Sequence, residues 1–261
     1  MKEIKRYLDN CIGEYSFYFE DILSGYTYSF NEKNIMPSAS LIKLPIAISL
    51  MKEVELGKIS LKDKVEISKE EMVDGSGIIH EFDERMYSIN ELLIAMLIQS
   101  DNTAANKLIE LLGMNKINEY IKTMGLKDTV LKRKMMDYAA REKGLENLTT
   151  AYDMSSLFKA LHNSTYLICE NSKFLLDILK RQQIRDKIPF YMPMREWSNI
   201  ANKTGTLDGI ENDSSLITIS KGNFVFTVMS KSLPNNVYGV VTISRVGKMM
   251  WDIIDRNWKK L

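Results

Sequence analysis

The sequence predicts an α/β fold of the α+β kind, a five-stranded antiparallel sheet flanked by terminal helices with an all-helical block inserted between its strands. Three observations lead there. Short stretches rich in Tyr, Phe, Thr and Ser, punctuated by turn residues, lie near both ends of the chain. Between Ser40 and Arg181 the apolar periodicity is almost wholly helical. A last helical stretch follows the second group of strands. At 261 residues, with 45% hydrophobic and 26% charged side chains, the chain can bury a sizeable core and has a globular rather than a disordered composition.

Taken in order, residues 1–10 read as an amphipathic helix with Ile4, Leu8 and Cys11 or Ile12 on one face. Residues 14–20 and 25–30 then form a hairpin across Ser24-Gly25. In the helical block, Ser88-Ile-Asn-Glu91 is a capping box ahead of 92–98, and Thr150-Ala-Tyr-Asp153 is a weaker version of it. Gly113 and Gly125 follow apolar runs where a left-handed residue ends a helix. Residues 202–207 make a strand, and 215–220 with 224–231 make a second hairpin across Lys221-Gly222-Asn223. The closing helix, 237–258, is expected to cover the sheet with Val237, Val240, Val241, Ser244, Trp251, Ile254 and Trp258. A discontinuous sheet domain, 1–38 and 184–261, would thus carry an all-α domain, 39–183. The seam between them is where a ligand cleft is expected.

Charge and composition narrow the partners. With 35 Lys plus Arg against 34 Asp plus Glu there is no basic field to attract nucleic acid or an acidic membrane surface. The charged start shows no secretory signal, and the apolar run 44–51 is too short for a bilayer core of roughly 30 Å, so a cytoplasmic protein is expected. In that compartment Cys11 and Cys169 are free thiols. His80 and His162, the only histidines, lack metal-ligand spacing, and no phosphate-cradling glycine loop appears. No metal or other cofactor is expected. Gly75-Ser76-Gly77 reads as a loop beside the cleft, with 78–82 as a wall.

Three short motifs carry the chemistry. Ser40-Leu-Ile-Lys43 places a hydroxyl and an amine three residues apart on one helical face. A lysine buried beside another cation loses basicity and can take the serine proton, and the free N-H groups of a helix start can hold an oxyanion. Because 49–52 and 156–159 repeat the S-x-x-K spacing, this motif means little alone. Ser100-Asp101-Asn102 interrupts two helical runs, so it lies on a turn. Asn102 reads there as the N-cap of the second run. Ser100 can also relay a proton, while the Asn102 amide can hold Lys43 and a substrate amide. Lys203-Thr204-Gly205-Thr206 sits in a strand whose glycine permits close backbone approach and whose edge can pair with an extended acyl-amide. Lys203 would attract a carboxylate and bias Ser100, with the Thr206 N-H completing the oxyanion hole.

In this order the motifs resemble those of class A β-lactamases and their penicillin-binding relatives, and the likeness runs over nearly the whole chain. The resemblance implies a β-lactamase/transpeptidase-like fold. It also implies acylation of Ser40, with Lys43 as base or relay, Ser100 as proton shuttle, Asn102 as a substrate contact, and Lys203 with Thr204 binding the carboxylate. The substrate would be a small β-lactam or another acyl amide or ester. A D-alanyl-D-alanine peptidase, an esterase and a slowly deacylating penicillin sensor are the alternatives. Two departures stand out. Where the family carries a water-activating glutamate, 131–137 offers Met135 and Met136, with Arg133 anchoring the loop through Glu146, and Asp137, Glu142 or Glu146 as the available carboxylates. Downstream of Thr206 the residues are acidic, Asp208, Glu211 and Asp213, where the family has an arginine facing the substrate carboxylate.

Overall fold

The computed structural model describes residues 1–259. From the N-terminus, α1 (Lys2–Asp9) leads into β1 (Glu14–Asp21) and β2 (Thr27–Phe30), followed by the short β3 (Met36–Pro37). A tight 3-10 turn, Ala39–Ile42, runs into α2 (Lys43–Glu55). Next come β4 (Lys64–Ile67), β5 (Arg85–Ser88), α3 (Ile89–Ile98), α4 (Asn102–Leu112) and α5 (Met114–Thr123). The short α6 (Tyr138–Glu142) and β6 (Leu148–Thr149) precede α7 (Ala151–Asn163) and α8 (Cys169–Lys180). The chain returns through β7 (Ile200–Leu207), β8 (Ile210–Ile219) and β9 (Gly222–Lys231) to α9 (Asn236–Asn257).

Local chemistry sets these ends. The Ser88 hydroxyl accepts from the Glu91 N-H while the Glu91 carboxylate accepts from the Ser88 N-H, closing the capping box of α3. The Thr150 hydroxyl accepts the Asp153 N-H at the start of α7. Gly113 stops α4 at φ +81°, a conformation that costs glycine little.

The sheet runs β2-β1-β9-β8-β7, antiparallel throughout, so the strands from the start of the chain join those from its end through the β1–β9 pair. Strand alternation gives it two buried faces. One face sends Phe17, Phe19, Phe224 and Phe226 against α1 and α9, where Ile4, Leu8, Ile243, Val246, Met250 and Ile254 meet them. Each of those rings contributes roughly 1.5–3 kcal/mol on leaving water. The other face, with Leu216, Val225 and Met229, continues into the core of the helical block. No helix among the described residues is long and apolar enough to cross a membrane.

Several expectations are corrected. The helical block also holds a small antiparallel ribbon, β4 with β5, and a short strand, β6, that pairs with β3 just ahead of it. β8 begins at Ile210 rather than 215, because Glu211, Asn212, Asp213 and Ser214 are buried and their polar atoms find partners. α1 ends at Asp9, leaving Ile12 exposed. On α9 the covering face is Gly239, Ile243, Val246, Gly247, Met250 and Ile254, whereas Val237 and Val241 face solvent. Close approach decides that outcome, since a Cβ on Gly247 would collide with the backbone of Ile188 and one on Gly239 with Leu233 and Glu211. Small residues therefore mark the contact.

Candidate active site

Ser40 occupies the 3-10 turn rather than the α-helix proper, half-buried and one step after Ala39, whose φ of +46° tightens the turn. Neighbouring segments clamp it. The Asn212 amide donates to the carbonyls of Pro37 (3.0 Å) and Ser38 (3.3 Å), and the Ser38 N-H donates to the Asn147 carbonyl (2.8 Å). β7 passes so close at Gly205 that a Cβ there would lie 2.9 Å from the Ser38 oxygen and 3.1 Å from the Ser40 nitrogen. A side chain would push the strand off Ser40.

Behind Ser40, Lys43 is fully buried. Its ammonium donates to the Ser100 carbonyl, to Ser100 Oγ (3.3 Å) and to Asn102 Oδ1 (2.7 Å), which uses all three N-H groups. Ser100 adopts φ +57°, and in that conformation its carbonyl and its hydroxyl both meet the same amine. Lys203, also fully buried, donates to Ser100 Oγ and to the Thr204 carbonyl, both at 2.9 Å. Burial brings Lys43 down to about 7, with the Asp101 carboxylate opposing the shift. Burial and the charges of Lys43 and Lys187 hold Lys203 well below the ordinary lysine range. Two amines that readily give up a proton thus flank one hydroxyl.

The turn carrying Ser100 is pinned by Asp101. Its buried carboxylate accepts the N-H groups of Ala104 (2.8 Å), Ile78 (2.7 Å) and Ile79 (2.9 Å). Asp101, not Asn102, is therefore the N-cap of α4, and Asn102 is released to face the site. The Asn102 amide donates to the Asp74 carbonyl at 3.0 Å. Gly75 and Ser76 line the cleft as expected of that loop, but 78–82 does not form a wall, since Ile79 is buried in the core and Phe82 points outward.

A cleft of about 440 Å³ opens over Ser40, bounded by Asn102, Met135, Met136, Glu146 and Thr206. Arg133 closes the neck of the loop from 133 to 146, its Nε and guanidinium nitrogens 3.0 and 2.8 Å from Glu146 Oε1. Arg141 Nε lies 3.4 Å from the other carboxylate oxygen. The Asn106 side chain pairs with the Met135 backbone in both directions, at 2.7 and 3.0 Å. Asp137 is spent capping α6 through the Ala140 N-H, Glu142 is exposed, and Glu146 is held by two arginines. The thioethers of Met135 and Met136 offer no base. Breaking the neck pair by Arg133→Ala is expected to cost about 3 kcal/mol of local closure, which corresponds to about a hundredfold more opening. Native-state proteolysis within 134–145 should reveal it, and an unchanged cleavage rate would contradict this role.

Lys43, Ser100, Asn102 and Lys203 thus form one hydrogen-bonded network, while Ser40, Asn102 and Thr206 line the cleft and Thr204 and Gly205 lie buried beside it. Asp101, Asn106 and Asn212 are the supporting residues missed from sequence. Only Asp101 had a local signal, an acid directly before a helical run. Among the described residues, no group of three or more His, Cys, Asp or Glu side chains is arranged to hold a metal ion.

Comparison with known proteins bears on this site. The pattern of the "Beta-lactamase enzyme family" matches residues 1–254. The β-lactamase CARB-3 of Pseudomonas aeruginosa is 26% identical over 187 residues, 71% of this chain and 65% of that protein, so the match spans just under two thirds of the relative. The structure of a β-lactamase from Sphaerobacter thermophilus superposes with a TM-score of 0.88 at 27% identity, covering 97% of this chain and 96% of that one. A variant of PBP-A, solved as an acyl-enzyme complex with penicillin G, superposes with a TM-score of 0.88 at 23% identity over 98% of this chain and 96% of its own.

Proposed function

The chain belongs to the β-lactamase enzyme family, and from that membership we propose that it is a serine hydrolase that opens β-lactam amides through an ester on Ser40. The observation that carries this reading is the buried network of Lys43, Ser100 and Lys203, which begins three residues after the cleft-lining Ser40. Lys43, neutral in part at pH 7, takes the Ser40 proton as the oxygen attacks the lactam carbonyl. The Ser40 N-H on the 3-10 turn and the outer edge of β7 supply N-H groups to the developing oxyanion. Ser100, between two amines, passes a proton to the leaving nitrogen, and the amide bond breaks. A structural relative trapped with penicillin G as an acyl-enzyme supports this half of the cycle.

The second half requires water to be activated beside the ester. With Met135 and Met136 in the cleft and Glu146 paired to Arg133 and Arg141, the 133–146 loop offers deacylation no free carboxylate, and this step limits turnover. Exposure to a chromogenic cephalosporin should therefore give a rapid burst of about one equivalent followed by slow steady hydrolysis, with the adduct mapped to Ser40 by mass spectrometry. An unmodified Ser40 and hydrolysis of simple esters alone would overturn the reading.

A further inference from the structure

Away from β7, the cleft over Ser40 has two walls, the segment carrying Gly75 and Ser76 and the loop 133–146. They meet at a thioether. A Cβ added to Gly75 would lie 2.8 Å from Asn102 Nδ2, 3.1 Å from Met136 Sδ and 3.3 Å from Met136 Cε. Comfortable contact begins at about 3.5 Å, so no methyl group fits there between the amide and the thioether unless one of them moves. Met136, half-buried, thus spans the cleft from one wall to the other beside Asn102.

Neither wall can easily draw back. Met136 adopts φ +60°, a left-handed conformation uncommon for a methionine, and its flanks are fixed. The Met135 backbone pairs with the Asn106 side chain in both directions, the Tyr138 N-H donates to the Met136 carbonyl at 3.0 Å, and Asp137 caps α6. The Met136 side chain also packs on the core of the helical block. A methionine has three rotatable bonds and adapts readily when free, but here the backbone that aims it is held on both sides. Across the cleft, the Ser76 carbonyl accepts the Asn102 N-H at 2.9 Å and the Thr103 hydroxyl accepts the Val73 N-H at 3.0 Å.

Asn102 Oδ1 is taken by Lys43, and Nδ2 gives one hydrogen to the Asp74 carbonyl at 3.0 Å, while its second meets no acceptor among the described residues. That hydrogen is the donor available to a substrate's acyl-amide oxygen, and the arm attached to this amide has to pass the thioether. We infer that Met136 is a specificity-determining residue: it admits β-lactams whose acyl arm begins with an unbranched methylene and turns away those branched at that carbon. The inference rests on Ser40 being the acylated residue, and it narrows the substrate class for that site. A methylene lets the arm bend to one side of Met136, whereas a branched carbon carries heavy atoms on both sides and needs the volume the thioether fills.

The test compares benzylpenicillin with its α-phenyl analogue, in which the carbon next to the acyl amide bears two rings. Mass spectrometry of the full chain follows the Ser40 adduct and gives a second-order acylation rate constant for each compound. The wild-type protein is expected to favour benzylpenicillin about fiftyfold. Met136→Ala should reduce that preference to about fivefold or less, whereas Met136→Leu, which keeps the bulk without the sulfur, should hold it within about threefold of the wild-type ratio. A general loss of folding or activity lowers both rates together and leaves their ratio alone. A wild-type preference below about fivefold, a ratio unchanged in Met136→Ala, or one that falls as far in Met136→Leu as in Met136→Ala overturns the inference. Failure of the wild-type protein to form a Ser40 adduct with either compound would instead count against the reading on which it rests.

Discussion

Ser40→Ala and Lys43→Met are each expected to lower the rate of acylation by a β-lactam about a thousandfold or more, and the double variant should be scarcely slower than either alone. The two side chains act as a unit. Without the hydroxyl there is no ester to form, and without the amine the hydroxyl keeps its proton. Methionine matches the lysine stem in length and suits a fully buried position, so the loss can be read as chemistry. Stopped-flow measurement of the burst checks it, and a Lys43→Met protein that acylates within tenfold of wild type would remove Lys43 from the mechanism. The pH profile gives a second readout. Burial lowers Lys43 to about 7, so the wild-type acylation rate should climb through that pH as the amine becomes neutral.

The same shift has a consequence for stability. The unfolded lysine keeps its proton up to about 10.5, whereas the folded one releases it near 7, so between those values the unfolded chain binds more protons. Raising the pH across that window therefore favours the folded state, by up to about 5 kcal/mol for this group if the whole shift is realised. Lys43→Met should flatten that slope in denaturant titrations at pH 7 and pH 10.

Asp101→Ala is expected to destabilise the protein by about 3–5 kcal/mol, the largest effect of a single substitution outside the apolar core. One buried carboxylate accepts three backbone N-H groups, from Ala104, Ile78 and Ile79, and alanine leaves all three without that acceptor. It also removes the cap of α4. For a chain of this size the loss corresponds to about 10 °C in the thermal midpoint. Function should fall with it, because the turn that aims Ser100 and Asn102 at Lys43 depends on that carboxylate. Asp101→Asn, which keeps one acceptor oxygen, should lose less. A melting curve for Asp101→Ala within 2 °C of wild type would show that the turn is held by something else.

Much of this molecule was readable before any coordinates. The hairpin turns at Ser24-Gly25 and Lys221-Gly222, the Ser88 to Glu91 capping box and the glycine stops are local effects of a few residues on their own backbone. The sheet fed from both ends of the chain followed from them. The start of β8 was not readable, since Glu211, Asn212, Asp213 and Ser214 look like a loop until Lys187, Asn236, Asn202 and Thr227 are seen to pair with them. Nor was the buried face of α9, where Gly239 and Gly247 come against Glu211, Leu233 and Ile188 while Val237 and Val241 face solvent.

Ser40, Lys43, Ser100 and Lys203 were recognisable because each sits in a motif a few residues long, with a spacing that a helix, a turn or a strand converts directly into direction. Their convergence was not, because Lys43 and Lys203 are brought to the same Ser100 by the packing of the helical block against β7 rather than by any local preference. The pairing of Thr206 and Asn236 with Glu211, itself paired with Lys187, was equally invisible, since separate segments bring these groups together. Local sterics and hydrogen bonding determine which elements form, whereas burial decides which polar groups must satisfy one another and so what is left to face a ligand.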